Sequence, residues 1–177
     1  MPVIDYPFTQ EEAQAAYTEW GCNCGPTALA FALQSSLDHA RNLIHGFDQK
    51  RYTSPSMMSN ALYQAGRTFQ AVANPRLERP FNFTFSEMYD VPLALVRIQW
   101  TGPWTAPGAN PKWAYRQTHW VATWLDSPFL RVFDCNGGIN EHADWEKRIV
   151  PMIVESIPRA DGGWFPTHIW RLNKGRA

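Results

Sequence analysis

CNCGPTALAFAL, residues 22–33, decides how this chain is read. Gly25 and Pro26 suit a sharp turn into a first helical turn, where proline's missing N–H removes no hydrogen bond. Leu29, Leu33 and Leu37 then recur every four residues, which is one face of a helix. The spacing predicts one buried amphipathic helix that runs to Ile44 or His45, before Gly46. Cys24 therefore stands at the mouth of a helix, where unpaired N–H groups and the positive end of the dipole favour a thiolate. The same N–H groups can donate to the oxyanion formed when a carbonyl is attacked. One piece of backbone then both activates the sulfur and stabilises its transition state, with Gly25 and Ala28 small enough to leave room for substrate.

Upstream, QEEAQAAYTEW at 10–20 consists of good helix formers with acidic residues early, and predicts a short helix that delivers the chain to Gly21. Downstream, FDQKRYTSP reads as a loop, and Met58, Ala61, Leu62 and Ala65 share one face of a helix over Ser56–Ala65, closed by Gly66. From Phe69 the pattern changes to a short apolar FQAVA, a Pro-containing stretch around NPRLERPFNF, and a brief helix or turn at SEMYDV. Leu93 to Trp100 reads as a strand between Pro92 and Gly102. TGPWTAPGANPKWAYRQ, with three Pro and two Gly, reads as an exposed loop able to flank a site. HWVATWL and FLRVFD are two further strands joined around Asp126, Ser127 and Pro128, and Asn136, Gly137 and Gly138 form another turn. KRIVPMIVESI and THIWRL each supply one more strand or short helix. Helices first and antiparallel strands afterwards make an α+β fold, with N-terminal helices packed on an antiparallel sheet or half-barrel.

The 177 residues, 45% hydrophobic and 18% charged with nine Trp and ten Phe, predict one domain over 1–177 around one core, without a disorder signature. Sixteen basic residues balance sixteen acidic ones, so no electrostatic footprint for nucleic acid is expected. No apolar run reaches the roughly 20 residues needed to span a bilayer, and MPVIDYPFTQEEAQAAY does not read as a secretory signal. A soluble, cytoplasmic protein is expected, without a membrane partner. Three cysteines, an odd number, argue against a disulfide framework and leave thiol chemistry open.

A nucleophilic cysteine needs a base, and of the five histidines His119 is the best placed, at the opening of a predicted strand. Asp134 ends the next predicted strand, so a hairpin sets the two side by side, and Asp134 can hold the imidazole in its working tautomer. Asn136 competes for that orienting role. His39, His45, His142 and His168 read as surface or capping residues. Cys22, Cys24, Cys135 and His119 are zinc-type ligands, but Cys-x-Cys is not the usual knuckle spacing, and alternation along FLRVFDC points Cys135 away from Asp134. No metal or cofactor is expected. Trp120, Ala122 and Trp124 share a strand face and read as core, whereas Trp104 and Trp113 fall in the loop and are candidates for substrate contact.

CGPTALA at 24–30, the helix SMMSNALYQAGRTF ending in Gly, the strand LALVRI after Pro92, and HWVATW followed by VFD come in the order found in papain-like cysteine peptidases. Over residues 20–136 the chain resembles that superfamily, and within it the bacteriocin-processing, C39-like branch. The resemblance implies Cys24 as nucleophile, His119 as general base and Asp134 as orienting acid, acting on a protein or peptide substrate. One element departs from the family pattern: Thr18 stands where such enzymes carry a Gln that donates to the oxyanion, leaving Asn23, Trp20 Nε1 or another donor to replace it. Three reactions share the thioester intermediate: hydrolysis of a peptide or isopeptide amide, acyl transfer to an amine, and deamidation of glutamine. A catalytically silent papain-like domain that serves as a binding or structural module is the alternative from another class.

Overall fold

The computed structural model of the chain describes residues 6–73 and 91–173; the expectations for NPRLERPFNF and SEMYDV lie outside them. Helix α1 (Gln10–Trp20) opens with a capping box, in which Thr9 Oγ1 accepts from the Glu12 N–H and the Glu12 carboxylate accepts from the Thr9 N–H. It ends on Gly21 at φ 73°, a left-handed position that glycine adopts without strain. Helix α2 spans Cys24–Leu33 and helix α3 Leu37–Leu43. The single helix predicted to reach Ile44 is thus broken. Gln34 takes a left-handed conformation and bonds back to Ala30 O and Phe31 O, and Ser36 Oγ then accepts from the His39 N–H to start α3. Leu37 is buried on both readings, so the four-residue spacing hid a corner. Phe47–Lys50 forms one turn, α4, in the predicted loop, and α5 runs from Pro55 to Gln64.

The strands are β1 (Phe69–Ala73), β2 (Ala94–Trp100), β3 (Thr118–Asp126), β4 (Phe129–Asp134), β5 (Gly138–Glu141) and β6 (Trp164–Leu172). They build one open antiparallel sheet in the order β1-β6-β2-β3-β4-β5. The fold is α+β. Between β2 and β3 lie a 3₁₀ turn (Pro103–Thr105) and helix α6 (Pro111–Tyr115). Between β5 and β6 the chain is helical from His142 to Glu155, as α7 (His142–Asp144), a wide π turn (Trp145–Ile149) and α8 (Val150–Glu155).

Every residue of β2 is buried, because the sheet is covered on both faces. Leu95, Trp120, Ala122 and Phe133 meet Leu29, Phe31, Met58 and Leu62 of the N-terminal helices. Val96, Ile98, Val121 and Val132 face Trp145, Val150 and Ile153 on the other side. The single core expected from the sequence is therefore two apolar layers that share one sheet. Phe31 fixes α2 on the sheet, stacked on Phe133 with ring centroids 4.4 Å apart and tilted against Trp124 at 5.1 Å. Burying an aromatic of this size is worth about 1.5–3 kcal/mol, and these contacts set where the first turn of α2 lies along β3.

Candidate functional site

The β3–β4 register begins at Ala122↔Phe133, so one more step sets Asp134 opposite Val121 and on the same face as His119. The hairpin inference from sequence agrees with this placement: His119 Nε2 lies 3.0 Å from Asp134 Oδ2, both groups being buried. The contact is an ion pair of bent geometry, in which the ring N–H does not point straight at the oxygen. Thr118–Val121 precede that register, and here α2 brings Cys24 against β3. The His119 side chain and the Trp120 backbone N–H both lie close enough to act electrostatically on the Cys24 sulfur. With Nε2 on Asp134, Nδ1 is the ring atom left for the sulfur.

The electrostatics separate the three thiols. Burial alone would raise the Cys24 pKa, but the His119 hydrogen bond and charge, with the Trp120 N–H, lower it below the ordinary thiol value. Burial would lower His119, but the Asp134 charge beneath it and the Cys24 sulfur beside it raise it to about 10. Cys22, two residues before Cys24, is pushed up to about 12 by burial and by the charge of Cys24, and its Sγ donates to Arg51 O at 2.7 Å. Burial and the Asp134 charge raise Cys135 well above the usual range. Of the three thiols, one has its pKa lowered and two have theirs raised.

Asp134 is fully buried and surrounded by donors. Oδ1 accepts from the Asn136 N–H at 2.9 Å and from Asn136 Nδ2 at 3.1 Å, and Oδ2 accepts from Trp145 Nε1 at 2.9 Å beside the His119 contact. Against the cost of its burial, these partners and the His119 charge hold the carboxyl below its ordinary pKa. Asn136, the competing orienting residue, thus supports Asp134 from behind. Trp145 was missed by the sequence reading: it lies in a helical segment with no pattern tying it to Asp134. Trp145→Phe is expected to destabilise the chain by about 2 kcal/mol, from a lost charge-assisted hydrogen bond and a small cavity, measured by urea unfolding.

His119, Asp134 and Cys135 offer ligand atoms within 4.8 Å of one another. The alternation argument that turned Cys135 away from Asp134 is overturned, because β4 ends at Asp134 and Cys135 already belongs to the turn. The Asp134 oxygens are nevertheless taken up by three hydrogen bonds and the His119 ion pair, which leaves little acceptor capacity for a metal. His142 and His168 are half-buried; His142 Nε2 lies 3.4 Å from Glu146 Oε1, and His168 Nδ1 is 3.1 Å from Thr167 Oγ1.

A cleft of about 320 Å³ opens at Cys24, with Phe47, Tyr52, Tyr115 and Trp120 among its walls. Trp120 Nε1 donates to Thr53 O at 2.8 Å, holding the segment after α4 against the start of α2. The approach explains Gly25: a Cβ there would overlap Thr53 Oγ1 and lie 2.5 Å from Thr53 Cβ. The room made by Gly25 is therefore filled by Thr53 on that side. The loop 101–117 does flank the cleft, through Tyr115 and Arg116. Its two tryptophans do not line it: Trp104 is buried in the second layer with Nε1 donating to Trp100 O at 2.7 Å, and Trp113 is 63% exposed on α6.

Thr18 is exposed on α1, its hydroxyl donating to Gln14 O at 3.0 Å. Asn23 Nδ2 donates to Ala13 O at 2.8 Å, which ties α1 to the start of α2. Neither side chain is spent on Cys24. No helix among the described residues is long and apolar enough to cross a membrane. No protein-family model matches the chain, and no curated protein matches it.

Proposed function

We propose that the chain is a thiol-dependent hydrolase of peptide or isopeptide amides with a papain-like, C39-like architecture. The observation that carries this reading is the convergence of Cys24, His119 and Asp134 at one end of β3, with only Cys24 of the three thiols shifted toward the thiolate. The Cys24 thiolate attacks the amide carbonyl, and the His119 imidazolium protonates the departing amine. The thioester is then hydrolysed by water whose proton passes to His119. Asp134 keeps the ring oriented and its charge compensated throughout. The first N–H groups of α2, at Cys24 and Gly25, have no partners within the helix and supply the oxyanion donors. With Thr18 turned away, the extra side-chain donor of the family pattern is missing, a difference worth about a hundred- to a thousand-fold in turnover.

The test is alkylation by iodoacetamide at each cysteine against pH, read by peptide mass spectrometry. Cys24 is expected to react well below pH 8, while Cys22 and Cys135 stay unlabelled under native conditions. A Cys24 that titrates near the ordinary thiol value of about 8.5 would turn the reading to a silent binding module, the alternative that the missing donor at Thr18 favours.

A further inference from the structure

The cleft at Cys24 is electrically one-sided. Among the described residues Lys50, Arg51 and Arg116 line it, and no aspartate or glutamate does, although the whole chain carries sixteen of each sign. These three cations make no ion pair among the described residues, whereas nearby Arg41 is neutralised by Asp48 at 2.9 Å and Glu19 at 3.7 Å.

Behind the cleft wall lies a fourth cation. Arg97, in the middle of β2, is 6% exposed, and its guanidinium sits 5.5 Å from the ring centroid of Tyr115, one of the wall residues. It has one hydrogen bond to a side chain, Nη1 to Thr167 Oγ1 at 3.1 Å, while Nε is buried without a partner. No carboxylate among the described residues compensates it; the groups that favour its charge are Tyr115 and Cys24. A buried guanidinium is costly unless an anion offsets it, and here the offsetting charge lies on the cleft side.

We infer that the cleft selects acidic peptide segments, with substrate carboxylates beside the scissile amide meeting Lys50, Arg51 and Arg116 in the field of Arg97. Cleavage of that amide rests on the hydrolase reading, but the charge preference itself does not. Four cations outweigh the excess negative charge that Asp134 leaves at a Cys24–His119 ion pair. In a cleft with low-dielectric aromatic walls such a field raises the arrival rate of an anion by about tenfold or more.

Two alkylating agents of nearly equal size test it: iodoacetate, which carries the carboxylate, and iodoacetamide, which is neutral. At pH 9 an ordinary thiol is ionised too, so the comparison works whether or not Cys24 is activated. The ratio of the iodoacetate rate to the iodoacetamide rate at Cys24, divided by the same ratio for a short cysteine peptide, is expected to be about 10 in dilute buffer. It should fall toward 1 in 1 M salt, where charges are screened beyond about 3 Å, and should drop several-fold in the Lys50→Gln/Arg116→Gln chain, whose changes are on exposed side chains. A normalised ratio of 1 or less in dilute buffer, a ratio indifferent to salt and to those substitutions, or failure of both reagents to reach Cys24 overturns the inference. An ordinary pH profile for Cys24 with the charge preference intact would instead remove the hydrolase reading and leave an anion-selective cleft.

Discussion

On the proposed hydrolase mechanism, His119→Ala is expected to lower amide turnover by about three to four orders of magnitude and to return Cys24 to the reactivity of a buried, unassisted thiol. The first effect follows from losing the proton carrier for both halves of the reaction. The second follows from the balance of forces on the sulfur. Burial opposes the thiolate, and the His119 hydrogen bond and charge are the largest groups of interactions that overcome it. Without them the Trp120 N–H acts against burial and the Asp134 charge, and the thiol is raised instead of lowered. Rates of p-nitroanilide peptide hydrolysis and of iodoacetamide labelling at pH 6.5 measure the two effects on one preparation. A variant that keeps the labelling rate of the parent would sink the assignment of His119 as the activating base. In the parent protein, turnover is expected to decline on the alkaline side near pH 10, where His119 loses its proton and can no longer protonate the leaving amine.

Asp134→Asn should cost about 3–5 kcal/mol of stability, despite being nearly isosteric, because it removes the larger of the two charges that hold the buried His119 imidazolium and leaves only Cys24 to offset it. Oδ1 faces one pair of groups, Asn136 N–H and Nδ2, both hydrogen-bonded to it, and Oδ2 faces another, the Trp145 Nε1 donor and the His119 ion-pair partner. An asparagine must turn its NH₂ toward one of those pairs, and no flip satisfies both. The cost should depend on pH in a defined way. The Asp134 pKa is lowered by folding, so its contribution is present above about pH 4, the unfolded value, and is lost as pH falls through the folded one. The His119 pKa is raised by folding, so its contribution is full below about pH 6.5 and is lost as pH rises through about 10. The stability gap between parent and variant is thus largest between about pH 4 and 6.5 and narrows on both sides. Urea unfolding at pH 5, 7.5 and 9.5 gives the profile; a gap that stays constant would show that the two groups do not titrate as a pair.

Much of the site was legible because it rests on local chemistry or on one hairpin. A helix start with Gly25 and Pro26 fixes what surrounds Cys24, and two strands joined by a short turn fix which end of one lies beside which end of the other, so His119 and Asp134 could be paired by counting. The break at Gln34 was hidden because Leu29 and Leu37 remain buried across a corner that Ser36 re-caps, and apolar spacing reports burial, not continuity. Trp104 was misread for a related reason: a Pro- and Gly-rich stretch marks a loop, but whether a tryptophan in it turns inward depends on an acceptor, here Trp100 O, that only folding supplies.

The sequence by itself determined the class of fold, the placement of one cysteine at a helix N-terminus and the hairpin that pairs a histidine with an aspartate, since each follows from residues close in the chain and from backbone geometry. Only the folded arrangement fixes which thiol has its pKa lowered, what holds Asp134 in place and which described side chains line the cleft. Those properties arise where α2, the segment after α4, α6 and the wide helical turn at Trp145 converge on β3 and β4. Burial and Coulomb interactions act through space, so no spacing along the chain encodes them.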